Sequence, residues 1–117
     1  MTDPTAPLSA EDRKLVTLAR STRARTRAAE GAAVRDENGR TYAAATVDLP
    51  SLQVSALGVC VAMAVASGST GLEAVVVLTE AGTVAPDDLA VVREFAGEGV
   101  PVHRGDTRGN LAELVRS

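Results

Sequence analysis

Residues 31–48 read Gly-Ala-Ala-Val-Arg-Asp-Glu-Asn-Gly-Arg-Thr-Tyr-Ala-Ala-Ala-Thr-Val-Asp. Two short apolar runs, Gly31–Arg35 and Thr41–Val47, flank the polar segment Asp36-Glu37-Asn38-Gly39-Arg40. Asn-Gly between apolar runs is the strongest short-range hairpin signal, because both positions tolerate a positive φ. The stretch therefore predicts an antiparallel β-hairpin, and the elements on either side are placed relative to it.

Upstream, Ser9 has the character of a helix N-cap, and Asp12 three residues on completes a capping-box spacing. Glu11 and Asp12 suit the positive end of a helix dipole. Leu15, Leu18, Ala19 and Thr22 give this helix a modest apolar face, and Arg20, Arg23 and Arg27 give it a basic one. Its expected end is near Ala29. Residues 1–8, with Pro4 and Pro7, read as a disordered leader, and residues 9–117 as one domain. The leader has no apolar core segment, so no secretory signal is predicted and the expected compartment is the cytoplasm.

Downstream, Pro50-Ser51 has the residue types of a helix start, and Val54–Ala66 is apolar apart from Ser55 and Gly58. A membrane span needs roughly 20 such residues, so this run predicts an enclosed core or interface helix over Ser51–Ser67. Leu72–Thr79 is β-branched and uncharged after Glu73, as expected of a strand covered on both faces. Pro86 followed by Asp87 and Asp88 opens a helix to about Gly97. Pro101-Val102-His103 predicts a short strand, and Thr107–Val115 a last short helix. The expected order is α-β-β-α-β-α-β-α, an α/β domain in three α-β-α layers with a mixed sheet.

Composition narrows the chemistry. The 117 residues include one Cys (Cys60), one His (His103), one Phe (Phe95), one Tyr (Tyr42) and no Trp. A disulfide framework, a four-ligand Cys/His zinc site, a haem or iron–sulfur centre and an aromatic base-stacking platform all need more of these residues. Net charge is -3; residues 1–40 carry eight of the 12 basic and six of the 15 acidic residues, a smaller basic excess than nucleic-acid binding usually wants on one face. Neither a nucleic-acid nor a membrane partner is expected.

Catalytic motifs are absent. No Gly-x-x-x-x-Gly-Lys-Ser/Thr occurs, and Lys14 is the one lysine. Gly-x-Gly-x-x-Gly is missing, and Ser67-Gly68-Ser69-Thr70-Gly71 lacks the spacing of a nucleophile elbow. Asp106 near His103 raises a base–orienter pair as one reading, against a structural histidine as the plainer one. Cys60 sits in an apolar run with no basic neighbour to acidify it, so it reads as a small core residue. The Arg20/Arg23/Arg27 stripe reads as a solvated face or an inter-subunit ion-pair surface. Asp87-Asp88 reads as a helix-start pair rather than as metal ligands.

Gly31-Ala32-Ala33-Val34, the Asn38-Gly39 turn, and Thr46-Val47-Asp48 leading into an apolar helix resemble the small nucleoside cytidine deaminases, over roughly Leu15 to Val102. The resemblance implies an Asn-Val-Glu segment, then a helix opening Cys-Ala-Glu, a strand, and Pro-Cys-x-x-Cys at the next helix. Three zinc ligands acidify a water there, and a Glu shuttles protons. Without gaps, Asn-Val-Glu falls on Thr46-Val47-Asp48 and Cys-Ala-Glu on Leu57-Gly58-Val59. The ligand position is thus Leu57 and the acid/base position Val59; Cys60 lies three places late. Pro-Cys-x-x-Cys maps near Val84–Ala90, where Pro86 precedes Asp87-Asp88-Leu89-Ala90 with no thiol. The base-lining aromatic falls near Ala28, and Asp48 keeps the capacity to accept from a ribose hydroxyl.

Read this way, the chain is a deaminase-like protein without catalytic residues, with zinc not expected and the old site filled by Leu57 and Val59. Its expected role is an oligomeric scaffold or binding module. Family members associate through the helix corresponding to Ser51–Ser67, which implies a dimer or tetramer. The alternative is a pseudoenzyme that binds a nucleoside or nucleotide with Asp48, Thr46 and Ala28 at the site. A third is an active enzyme, either with unrelated chemistry built on His103 and Asp106 or as a deaminase-type hydrolase with an atypical site.

Overall fold

The computed structural model describes residues 8–117, so the leader assigned to residues 1–8 lies outside it except for Leu8, which is half-buried. The chain runs α1 (Ala10–Thr26), β1 (Gly31–Asp36), β2 (Thr41–Ala45), β3 (Val47–Leu49), β4 (Leu52–Val54), α2 (Ala56–Ala66), β5 (Leu72–Leu78), α3 (Pro86–Ala96), β6 (Pro101–Gly105) and β7 (Leu111–Arg116). Five strands form one mixed sheet in the order β2-β1-β5-β6-β7, with β5 and β6 parallel and the other pairs antiparallel. Helix α1 covers one face, where Leu15 and Ala19 pack on Ala33, Ala74, Val76 and Leu78. Helices α2 and α3 cover the other, where Leu57, Cys60 and Val92 pack on Val34, Val75, Val77 and Val102. This is the three-layer α-β-α architecture that the pattern implied. No helix among the described residues is long and apolar enough to cross a membrane.

The hairpin of residues 31–48 forms with Ala33 opposite Ala43 and Val34 opposite Tyr42. Its turn works differently from the expectation: only Gly39 takes a positive φ (83°). The Asp36 carboxylate accepts from the amides of Asn38 and Arg40, both at 2.9 Å, and so folds the turn around itself. Alanines and Gly31 in this hairpin let α1 come close. A Cβ at Gly31 would strike the Ala19 carbonyl and the Arg23 Cβ.

Two elements differ from the sequence reading. The helix placed over Ser51–Ser67 starts only at Ala56, with Ser55 as its N-cap, because Pro50-Ser51 is instead the two-residue turn of a separate β3–β4 hairpin. Proline fixes φ for a turn as well as for a helix start, and here the turn wins. The helix placed over Thr107–Val115 is strand β7, preceded by a turn at Asp106–Gly109. The reason is a repeat of the first hairpin's device: the Asp106 carboxylate accepts from the amides of Arg108 (2.9 Å) and Asn110 (3.0 Å), and Gly109 takes φ 94°. The observed order is therefore α-β-β-β-β-α-β-α-β-β.

Candidate functional site

At one end of the sheet the C-terminus of β5, the start of β1 and the N-termini of α2 and α3 come together, the crevice where open α/β sheets hold ligands. A shallow groove of about 360 Å³ opens here, lined by Thr46, Val47, Asp48, Gln53, Val54, Ser55 and Glu30. Two residues singled out from sequence, Thr46 and Asp48, thus share one surface. Asp48 is exposed, whereas Thr46 is partly used up in a local latch. Its hydroxyl accepts from the Glu30 amide at 3.0 Å, and its own amide donates to the Glu30 carbonyl at 3.2 Å.

The other candidate positions lie elsewhere. Leu57 is fully buried in the core between α2 and the sheet, and Val59 packs against that cluster half-buried. Ala28 is half-buried outside the groove lining, and its carbonyl accepts from Arg23 Nε at 2.9 Å. The sequence singled out Asp88 only as half of a helix-start pair, and it gave no role to Glu30, Thr79 or Ser55. The Thr79 hydroxyl donates to Glu30 Oε2 at 2.7 Å, across 49 residues of chain. The Ser55 hydroxyl donates to Asp88 Oδ1 at 2.7 Å and accepts from the Gly58 amide at 3.0 Å. Asp88 left the signal of an acidic helix start and Ser55 that of a serine directly before the apolar run, whereas Glu30 and Thr79 left none.

Zinc does not fit the residues present. Three ligands are needed, and among the described residues no group of three His, Cys, Asp or Glu is placed to hold a metal ion. Leu57 offers only hydrocarbon, Asp88 is engaged by Ser55, and Cys60 points its thiol at the Tyr42 carbonyl, 3.7 Å away. Burial pushes that thiol up to about 12, the opposite of what a thiolate ligand requires.

The His103–Asp106 pair does not form. Asp106 is spent on its own turn, while His103 is buried on the α1 face with Nε2 3.5 Å from Asp12 Oδ2. Asp12 also pairs with Arg35 at 3.0 Å, and Arg35 Nε donates to Glu73 at 3.0 Å, so the histidine belongs to a network that ties α1 to three strands. The arginine stripe is likewise structural in part: Arg23 bonds Ala28 as above, and Arg27 takes the left-handed conformation that ends α1. Asp87 is exposed in the first turn of α3, and its neighbour Asp88 is buried.

Comparison with known proteins adds the family. Among solved structures the chain is similar to cytidine deaminase from Burkholderia pseudomallei, with 18% identity, a TM-score of 0.78 and 92% of each chain covered. It is also similar to cytidine deaminase from Mycobacterium leprae, at 17% identity and a TM-score of 0.71 over 92% of this chain and 94% of that one. Cytidine deaminase from Mycobacterium tuberculosis follows at 18% identity and a TM-score of 0.68, covering 90% of this chain and 91% of that one. At such identities the likeness is one of fold. No curated protein matches the sequence. A family model, cytidine deaminase-like, matches residues 8–109, and the chain belongs to that family.

Proposed function

We propose that the protein is a non-catalytic member of this family that acts as a homo-oligomeric scaffold or binding module. One observation carries the reading: Leu57, at the position of a metal ligand in the family's motif, is fully buried among core side chains. A buried leucine cannot hold zinc, and without a bound metal no route remains to acidify water at neutral pH. Helix α2 supports the assembly half of the reading. It contains no polar side chain, yet Ala62, Val65 and Ala66 face outward, with Val65 53% exposed. Val65 also borders an apolar groove with Val91 and Phe95 of α3. An apolar helix face of this kind is suited to bury against a second copy in a dimer or tetramer.

The test has two arms. Purified protein should show neither deamination of cytidine or deoxycytidine nor a light-scattering mass of one chain. Turnover above background overturns the non-catalytic reading, and a monomer overturns the scaffold reading. Val65→Glu should shift the assembly toward monomer.

A second reading, a pseudoenzyme that keeps a nucleoside or nucleotide, is favoured by the groove that brings Thr46 and Asp48 to one surface. A ligand at 100 Kd adds about 2.7 kcal/mol of stability. Thermal shifts with cytidine, uridine and their monophosphates therefore separate the two readings. A shift lost in Asp48→Ala supports binding, and no shift with any of them leaves the scaffold.

A further inference from the structure

We propose that Ser55, Gly58 and Asp88 form a metal-free clasp that locks the N-terminus of α2 to that of α3, at the helix junction where the family's motifs imply zinc. The hydrogen bonds run in one direction. The Gly58 amide donates to the Ser55 hydroxyl, which donates to the Asp88 carboxylate. A full negative charge therefore stands one hydroxyl away from the positive end of the α2 dipole.

Helix α2 has no acidic residue in its first turn, whereas α3 has Asp87 and Asp88. Asp87 is exposed and remains on its own helix, while Asp88 is 7% exposed and turned to Ser55. One carboxylate thus serves two helix ends, with α3 supplying the charge that α2 lacks. Burial of a carboxylate is costly unless it is bonded, and the 2.7 Å bond from Ser55 has the short length of a charge-assisted one.

Gly58 makes room for this arrangement. A Cβ at that position would lie 3.0 Å from Ser55 Oγ and 3.1 Å from Val54 Cγ1, so both neighbours would have to give by a few tenths of an ångström. Alanine would be the better helix former by about 1 kcal/mol, so the glycine lowers the propensity of α2 while relieving a tight contact at its cap. Bonds from a metal to residues of two helices would join their ends only with deprotonated ligands; the clasp joins them with a hydroxyl and a carboxylate and needs no thiolate.

The clasp goes beyond the non-catalytic reading and holds for a single protomer whatever its assembly. A double-mutant cycle in urea, run with a chelator and with added zinc, tests it. Asp88→Ala and Ser55→Ala should each lower the folded-to-unfolded ratio by about tenfold, the size of a hydrogen bond to a charged group. Ser55→Ala should lose more, because it also removes the α2 cap. The double variant should lose less than the sum of the two single losses. Asp88→Asn, which keeps an acceptor, should lose less, and it closes the cycle if the alanine variant does not fold. Losses that add, with zinc and chelator without effect, overturn the clasp and leave the non-catalytic reading standing. A wild-type midpoint that rises with zinc overturns both.

Discussion

Leu57 and Cys60, one turn apart on α2, show how burial fixes the chemistry of single residues. Leu57 fills a closed core, and truncation to alanine should cost about 2–5 kcal/mol by urea unfolding, the range for a buried leucine. A loss near zero would mean that the side chain faces a cavity. Cys60 is the natural suspect for reactivity in a chain with one thiol, but burial holds it protonated, pushed up to about 12. A thiol reagent at pH 8 should leave it unmodified in the native protein and label it fully in denaturant. Rapid labelling of the native state would contradict the structure. Both placements were legible in the sequence as positions in an apolar run, although that run also presents Ala62, Val65 and Ala66 to solvent. The bonds from Ser55 to Asp88 and from Thr79 to Glu30 were not, since partners 33 and 49 residues apart leave no spacing to read.

Among the elements, the N-terminal hairpin and the start of α3 follow the sequence signals closely, and the two failures have separate causes. At Pro50 the same fixed φ serves a turn or a helix, and the pairing of Leu49 with Leu52 across Pro50-Ser51 selects the turn. At the C-terminus the signal was present and unread. Asp106-Thr107-Arg108-Gly109-Asn110 has aspartate and glycine at the spacing of Asp36-Glu37-Asn38-Gly39-Arg40, and both segments fold the same way. In each, the glycine amide donates to the aspartate carbonyl and the aspartate amide to the carbonyl of the residue after the glycine. Both glycines need a positive φ, so alanine at either should cost about 1 kcal/mol or more. The two should differ: nothing lies within 4 Å of a Cβ at Gly39, whereas one at Gly109 would lie 3.3 Å from Val16 of α1. Gly109→Ala should therefore lower the melting temperature further than Gly39→Ala, and the reverse order would contradict the packing of β7's turn against α1.

At the scale of the molecule, α1 packs on the sheet through Leu15 and Ala19, with Val16 and Leu18 partly buried beside them, and the Asp12–Arg35–Glu73 and Asp12–His103 contacts add a polar tie. Ser9 caps the helix as its spacing implied, accepting from the Asp12 amide, but the Asp12 carboxylate leaves the capping box to join this network. Burial lowers the His103 pKa against the pull of Asp12. The unfolded chain therefore binds the proton more readily, and this contribution to stability is complete above about pH 6.5 and is lost as pH falls below it. Asp36, held below the usual carboxylate range chiefly by the Ser69 hydroxyl, adds stability that is present above about pH 4 and lost at lower pH. Urea midpoints should fall in these two stages on acidification, and His103→Asn should flatten the upper one. A midpoint that rises between pH 7 and pH 5 would contradict the assigned state of the histidine.

On the proposed function, this cytidine deaminase-like chain keeps the fold without the metal chemistry. Metal analysis of protein purified from zinc-supplemented cells tests it most directly. Zinc far below the protein concentration is the expected result, and stoichiometric zinc that survives dialysis would contradict it.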